Sequence, residues 1–450
     1  MDTIVAVATS PGRSAIGIVR LSGPESLEIL RGLVNDYSYT PKPKHLSLKQ
    51  IVRATGEPLD SALVCFFAAP HSFTGEAMVE LNCHGSPVIL RRVLDLTQSL
   101  GARLAEPGEF TLRACRNGKM NLTQAEAIRD LINAQTDAAA VQAARQLKGE
   151  LSLALEPAKE KLLQVIVRLE SALEFVEDDL PRVEVEEIKK ELAGAVSIVA
   201  DLAGTFATGR ALREGLKVTI VGRPNAGKSS LFNRLVGLNR AIVTEIAGTT
   251  RDSISEAISL RGIPISLTDT AGIRIADNKI EEIGVERTRQ AMADADLLVV
   301  VIDGSTEISD EDLAIVNQAM RSRSVVAINK CDLGKEARLA DQLAESSEVV
   351  HVSALTGEGL GELAAAILEP FGAVDSETVG LLITDSRHFD LLRRTEASLE
   401  NSVELLTQAA SEEIVLVDLH NALQFLGEIT GETTADEILG QIFSTFCIGK

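Results

Sequence analysis

Between Leu216 and about Pro370, five short apolar runs rich in Val and Ile alternate with helical stretches: KVTIVG, IPISLTDTAG, DADLLVVVIDGS, SVVAINKCD and EVVHVSAL. Strands buried on both faces read this way, so the region is expected to be a doubly wound α/β domain with a parallel sheet. The first segment has a different texture. TIVAVAT and SALVCFFAA read as strands and PVILRRVLDLTQSL as a helix, with turn signals at SPGR, SGPE, PKPK and ATGEP, which predicts a small α/β domain. From Asn121 to about Gly209 glycine and proline are scarce and Ala, Leu, Glu and Lys dominate, which predicts long packed helices. In NLTQAEAIRDLI, Thr123 with Glu126 forms a capping-box pattern at the start of the first of these helices. Helical texture returns after about Ser376. The α/β domain is therefore expected as an insertion between two halves of one helical domain. The fold class expected is α/β multidomain: residues 1–118 as the first domain, 119–214 and 373–450 as the helical domain, and 215–372 as the inserted one.

A chain of 450 residues exceeds what one core usually serves, in keeping with several domains. Its five cysteines, Cys65, Cys83, Cys115, Cys331 and Cys447, are scattered with no CxxC pair, which argues against a disulfide framework or a zinc site. No apolar run approaches the roughly 20 residues that span a bilayer, and MDTIVAVATS lacks the features of a signal peptide, so a cytoplasmic protein without a membrane role is expected. The net charge of −21 is unfavourable for gripping phosphates, but it is uneven. Residues 1–118 hold 12 Lys and Arg against 11 Asp and Glu, leaving 32 against 54 for the rest. A polyanion would be met by the first quarter of the chain or by a partner.

The strand ending at Val221 runs into GRPNAGKS, Gly222 to Ser229, and then into the helical SLFNRLVG. This is GxxxxGK[ST] in its required strand-then-helix context. Loop amides and the helix N-terminus would face phosphate oxygens, Lys228 would reach the β and γ phosphates, and Ser229 would offer an oxygen to Mg2+. Downstream, NKCD (Asn329 to Asp332) and SAL (Ser353 to Leu355) each follow a strand. The Asp332 carboxylate can accept from both N1–H and the exocyclic amine of guanine, whereas adenine offers no such donor pair. Together these motifs select GTP.

By resemblance to GTPases in general, Thr250 in GTTRD would complete the Mg2+ shell, Asp269 in DTAG would support the metal, and the Gly272 amide would meet the γ phosphate. Ras-like proteins place a water-orienting glutamine after DTAG. Here that position is Ile273, so the attacking water must be oriented by another group. On composition alone Glu281 and Glu282 read as surface acids at a helix start.

These motifs, the flanking helical segments, the opening DTIVAVATSPGRSAIGIVRLSGP and the closing FCIGK together resemble the MnmE (TrmE) family of tRNA-modification GTPases, over essentially the whole chain. The GTP motifs alone would also admit an Era-like ribosome-assembly GTPase without modification chemistry, but the chain has no recognisable KH-type GxxG loop. The resemblance implies an N-terminal folate-binding-like domain that also forms a homodimer, a helical domain built from two segments, and an inserted P-loop, Ras-like GTPase domain. It implies nucleotide contacts from Asn225, Ala226, Gly227, Lys228, Ser229 and Ser230, and from Thr244, Glu245, Ile246, Ala247, Gly248, Thr249 and Thr250. Asp269, Thr270, Ala271 and Gly272, then Asn329, Lys330 and Asp332, then Ser353, Ala354 and Leu355 would complete the set.

Mg2+ would be held by Ser229 and Thr250, and K+ by Asn225, Thr244, Ile246 and Thr249. Glu281 aligns with the catalytic glutamate, which reverses its composition-based reading, while Arg251 and Arg274 would serve the dimeric contact. A tetrahydrofolate derivative (the 5,10-methylene or 5-formyl form) would meet Arg20, Glu80, Lys119 and Lys450. Cys447 is either a buried filler among Ile442, Phe443, Phe446 and Ile448 or a thiol in the modification chemistry. His84 is expected to be structural. The reaction implied builds an aminomethyl-type group on C5 of the wobble uridine of certain tRNAs. Its flavin partner, MnmG (GidA), carries FAD in a heterotetramer or larger assembly. The chain itself has no strand-associated GxGxxG fingerprint for a dinucleotide.

Overall fold

The computed structural model describes residues 2–174, 185–239, 255–270, 290–334, 348–372, 380–433 and 436–449. Its contacts divide the chain into two units, Met1–Arg129 with Gly427–Lys450, and Asp130–Leu426.

The first unit is built on a six-stranded sheet: β1 (Ile4–Val7), β2 (Ile16–Ser22), β3 (Ser47–Val52), β4 (Pro58–Phe67), β5 (Met78–His84) and β6 (Arg103–Leu104), in the order β3-β4-β5-β2-β1-β6. All neighbours are antiparallel except β1 and β6. The two-residue period of the strands sorts their side chains cleanly. Val19, Leu21, Val64, Val79, Leu81 and Cys83 point into a core with Ile29, Leu30 and Val93 of the helices Ser26–Leu33 and Pro87–Ser99. Arg20, Glu80, Asn82 and Leu63 lie on the other face, in register. Gly17 lets the second helix lie close, since a Cβ there would stand 2.5 Å from Leu90 Cδ1.

The end of the chain is part of this unit. Phe443 and Phe446 share a core with Leu122 and Ala125. Gly108, at φ 67, leads into the helix Glu109–Arg116, and a Cβ there would meet the Phe443 carbonyl at 2.6 Å. The helix Leu122–Asn133 begins with a capping box, but not at Thr123 and Glu126. Asn121 Oδ1 accepts the Gln124 amide while Gln124 Oε1 accepts the Asn121 amide, and Thr123 and Glu126 are buried. Asparagine caps as well as threonine does, and starting one residue after Asn121 turns Thr123 and Glu126 inward.

The second unit contains another six-stranded sheet: β7 (Leu216–Val221), β8 (Ser255–Leu260), β9 (Ile263–Asp269), β10 (Leu297–Asp303), β11 (Ser324–Asn329) and β12 (Glu348–Val352), in the order β12-β11-β10-β7-β9-β8. All pairs are parallel except β8 with β9, a hairpin turned at Arg261 and Gly262, both at positive φ. Alternate residues of the central strands fill cores on the two faces: Val218, Val299 and Ala327 on one, Val221, Val300 and Val326 on the other. The parallel strands β7, β9, β11 and β12 all end at the carboxyl edge of the sheet, where ligands of such sheets bind.

Helices Glu150–Glu174, Val185–Gly204 and Ser386–Thr407, from either side of the sheet in sequence, pack together. By length and composition Val185–Glu214 could cross a membrane, yet its Ile188, Leu192, Ala195 and Val199 are buried within this unit. Among the described residues, 380–385 are tied to the helical part by buried glutamines. Gln142 Nε2 donates to the Gly380 carbonyl (2.8 Å), and Gln146 Nε2 donates to Leu382 O (3.2 Å) and Thr384 Oγ1 (3.0 Å).

Candidate functional site

The phosphate-facing part of the site begins where β7 ends. Gly222 lies at φ 148 with its Cα so near β10 that a Cβ would stand 2.3 Å from the Val301 carbonyl. Asn225 takes the left-handed conformation at φ 66, and Gly227 lies at φ 94, where a Cβ would collide with the Asn329 side chain at 2.1 Å. Only this backbone path lets the loop turn directly into the helix Lys228–Asn239, presenting amides and a helix N-terminus together. Lys228 is buried, and its ammonium donates to the Arg223 carbonyl at 2.7 Å. Ser229 Oγ donates to Asp269 Oδ2 at 2.7 Å at the end of β9. A hydroxyl and a buried carboxylate beside a phosphate cradle are hard oxygen donors of the kind that Mg2+ takes, directly or through water.

Asn329 joins the phosphate side to the base side. Its Nδ2 donates to the Ala226 carbonyl and its Oδ1 accepts the Ala354 amide, both at 3.0 Å. Buried Ser353 donates to Asp332 Oδ1 (2.7 Å), which orients the carboxylate, while Leu355 projects into solvent at 80% exposure. Lys330, left-handed at φ 67, reaches Asp303 Oδ2 at 2.5 Å. Burial raises the Asp303 carboxyl, but hydrogen bonds from Lys330 and Ser305 outweigh it and hold the group below the usual carboxylate range. The described ends of β7, β9, β11 and β12 thus lie along one edge of the sheet. Thr270, next to Asp269, turns its hydroxyl inward to the Ile220 carbonyl (2.9 Å). Thr244, Glu245, Ile246, Ala247, Gly248, Thr249, Thr250, Arg251, Ala271, Gly272, Arg274, Glu281, Glu282 and Lys450 lie outside the described residues.

In the first unit, Arg20 and Glu80 are direct cross-strand partners on the face opposite the Val19–Leu81 core, the face that also meets Phe110 of the helix Glu109–Arg116. Arg20 Nε and Nη2 both reach Glu80 Oε1, at 2.9 and 2.8 Å, while Nη1 donates to the Gly449 carbonyl at 3.3 Å. The guanidinium carbon lies 5.8 Å from the Phe73 ring centre and 5.9 Å from that of Phe110, a floor that the motifs gave no reason to expect. Lys119 Nζ donates to the Pro70 carbonyl, and its stem passes beside Gly75. The cluster therefore offers a cation, a carboxylate and aromatic faces, the chemistry that a polar bicyclic ring with an acidic tail requires.

One expectation about a single residue changes. Cys447 is exposed, and among the described residues its carbonyl is engaged by the Gly108 amide at 3.4 Å. Phe443 and Phe446 fill the core instead, so the buried-filler reading of Cys447 is wrong. The buried thiols are those of Cys65 and Cys83, and burial pushes the thiols of Cys83 and the half-buried Cys115 up to about 12. His84 is exposed too, but its ring Nδ1 and its amide both bond the buried Asp60 carboxylate, at 2.6 and 2.9 Å.

Two family descriptions match the chain: "MnmE helical domain" over residues 122–447 and "GTP-binding protein TrmE N-terminus" over residues 3–119. The chain is 46% identical to a protein of Aquifex aeolicus (strain VF5) over the full length of both. It is also 46% identical to one of Koribacter versatilis (strain Ellin345), over all of this chain and 99% of the relative. Both relatives bear the name tRNA modification GTPase MnmE. Among solved structures, the G domain of the T. maritima FeoB iron transporter is 28% identical over 35% of this chain and 99% of its own, with a TM-score of 0.28. With full-length identity of this order and family matches at both ends, the chain belongs to the MnmE (TrmE) family of GTPases.

Proposed function

We propose that the protein hydrolyses GTP as one component of a tRNA-modifying system, building an aminomethyl or carboxymethylaminomethyl group on C5 of the wobble uridine of certain tRNAs. The observation that carries the reading beyond GTP hydrolysis is the Arg20–Glu80–Gly449 cluster. A GTPase alone has no need of a cation, a carboxylate and two aromatic rings on a separate sheet face. We assign that face to a tetrahydrofolate derivative, the 5,10-methylene or 5-formyl form, held by Arg20, Glu80, Lys119 and Lys450 as the one-carbon source. We assign the exposed Cys447, two residues before Gly449 in sequence, as the nucleophile of the modification chemistry.

In the GTPase site, Ser229 and Thr250 hold Mg2+, with Asp269 in support. Asn225, Thr244, Ile246 and Thr249 would hold K+, and a cation so placed would supply positive charge beside the phosphates as an arginine finger does. Glu281 orients the attacking water, a task Ile273 cannot perform. The flavin chemistry belongs to FAD on MnmG. A homodimer forms through the first domain, whose sheet exposes Ile16, Leu48 and Leu63 at 57%, 70% and 43% on the face opposite the Val19–Leu81 core. An exposed apolar patch of this kind marks an interface more often than a free surface.

The test is thermal unfolding of the full chain with and without 5-formyltetrahydrofolate, beside nucleoside analysis of tRNA from cells lacking the protein. A folate-induced rise in melting temperature that Arg20→Ala abolishes, with loss of the modified uridine in the deletion strain, supports the reading. No rise in the intact protein removes the folate assignment, and an unchanged modified uridine in the deletion strain leaves a GTPase without modification chemistry.

A further inference from the structure

The side chain of Arg223, second residue of GRPNAGKS, turns away from the phosphate cradle. Its Nε reaches Asp312 Oδ1 at 3.0 Å and its Nη1 donates to Ser309 Oγ at 2.6 Å. These two partners form the N-terminus of the helix Asp310–Ala319 after β10. They are already bound to each other: Asp312 Oδ2 accepts both the amide and the hydroxyl of Ser309, and Ser309 Oγ accepts the Asp312 amide. The network is complete, with both oxygens of the buried Asp312 and the Ser309 hydroxyl proton all used. A capping box needs no arginine, so the addition of Arg223 calls for a reason of its own.

The reason lies at the backbone of the same residue. The Arg223 carbonyl accepts the Lys228 ammonium at 2.7 Å, and also the Ala226 amide at 3.4 Å. Pro224 follows, which bars Arg223 from the helical region and narrows the directions its carbonyl can take. With the backbone narrowed by Pro224 and the side chain pinned to a helix end, that carbonyl is held as a fixed acceptor. The strap from Asp303 to Ser309 carries the constraint further. At its far end Asp303 holds Lys330 of NKCD, and Gly304 packs on the Asn329 carbonyl so closely that a Cβ would stand 2.9 Å from it. One loop therefore braces the phosphate lysine at one end and the base-reading motif at the other.

We propose that Arg223 is a positioning residue for nucleotide binding: clamped by Asp312 and Ser309, it sets the carbonyl that aims the Lys228 ammonium. It touches no nucleotide. Its contribution is preorganisation, and removing it makes binding of the phosphates fix what the free protein now holds. GDP and GTP both present a β phosphate, so both should suffer alike.

The test uses the full chain with Arg223→Ala, Arg223→Lys, Asp312→Asn and the double variant Arg223→Ala/Asp312→Asn. Asparagine keeps an oxygen to cap Ser309 but loses the charge that holds the guanidinium. Arg223→Ala and Asp312→Asn should each weaken GDP and GTP binding about tenfold, and the double variant should be no weaker than either. Turnover at saturating GTP should change by less than about twofold, and Arg223→Lys, which can reach only one partner, should fall between. A merely structural clamp would lower the melting temperatures of the free and GDP-loaded proteins equally, whereas a positioning residue also shrinks the gap between them. Unchanged affinity, additive losses in the double variant, or an undiminished GDP-induced gap would each overturn the proposal. Should Arg223→Ala fail to fold, Arg223→Lys against Asp312→Asn carries the same comparison.

Discussion

Arg20 on β2 and Glu80 on β5 face each other across the sheet, both about one-fifth exposed, with the guanidinium also holding the carbonyl of Gly449 one residue before the end of the chain. A partly exposed ion pair contributes roughly 1 kcal/mol or less to stability, too little to explain so many converging contacts. Recognition of a ligand explains them better. Glu80→Gln should therefore cost under about 1 kcal/mol in chemical unfolding but weaken tetrahydrofolate binding about tenfold or more, measured by calorimetry. A large stability loss with unchanged folate affinity would make the pair structural.

The Ser229–Asp269 contact of 2.7 Å predicts a different signature. Ser229→Ala removes the hydroxyl proposed above as a Mg2+ ligand while leaving the loop backbone in place. GTP turnover should fall on the order of a hundredfold and become less responsive to Mg2+ concentration. Retention of the wild-type Mg2+ response would place the ion elsewhere.

Much of this was legible in the sequence because buried parallel strands leave unbroken apolar runs. β7, β9, β10, β11 and β12 stand where KVTIVG, IPISLTD, LLVVVID, SVVAIN and EVVHV lie. β8 was not, since SEAISL is a half-buried edge strand whose polar residues disguise it, and only its hairpin partner makes it a strand. The cap of the Leu122–Asn133 helix fell two residues from the pattern because local hydrogen bonding chose asparagine over threonine, and both fit the rule. Long-range relationships left no local trace. Nothing in FCIGK says that the phenylalanine beneath Cys447 is buried and the thiol is not, and nothing in GRPN says where its arginine points.

Asn225 is the one K+ ligand candidate among the described residues, held at φ 66, a conformation that asparagine tolerates better than most side chains. Hydrolysis should be severalfold faster in K+ than in Na+ at equal ionic strength. Asn225→Gly keeps the left-handed backbone without the side chain, so it should abolish the difference while GDP still binds. Equal rates in the two salts for the wild type would sink the assignment.

Asp385 caps the helix Ser386–Thr407 and pairs with Arg213 at 2.7 Å, and Arg213 also reaches Asp130 at 3.0 Å. Burial raises the Asp385 carboxyl, but the charges of His388 and Arg213 and a hydrogen bond from the Arg387 amide outweigh that and lower it from 3.8 to about 2. A carboxyl with a depressed folded value lends stability above its unfolded value and loses it as pH falls through the folded one. The contribution, about 2 kcal/mol for a buried group shifted this far, should be complete above about pH 5 and drain away between about pH 4 and pH 2. Asp385→Asn keeps a capping oxygen and removes the charge. At pH 7 it should be less stable than wild type by about that amount in urea unfolding of the full chain, and the gap should close as pH approaches 2. A gap that stays constant across this range would show that the carboxylate charge contributes nothing and that Asp385 acts as a cap alone.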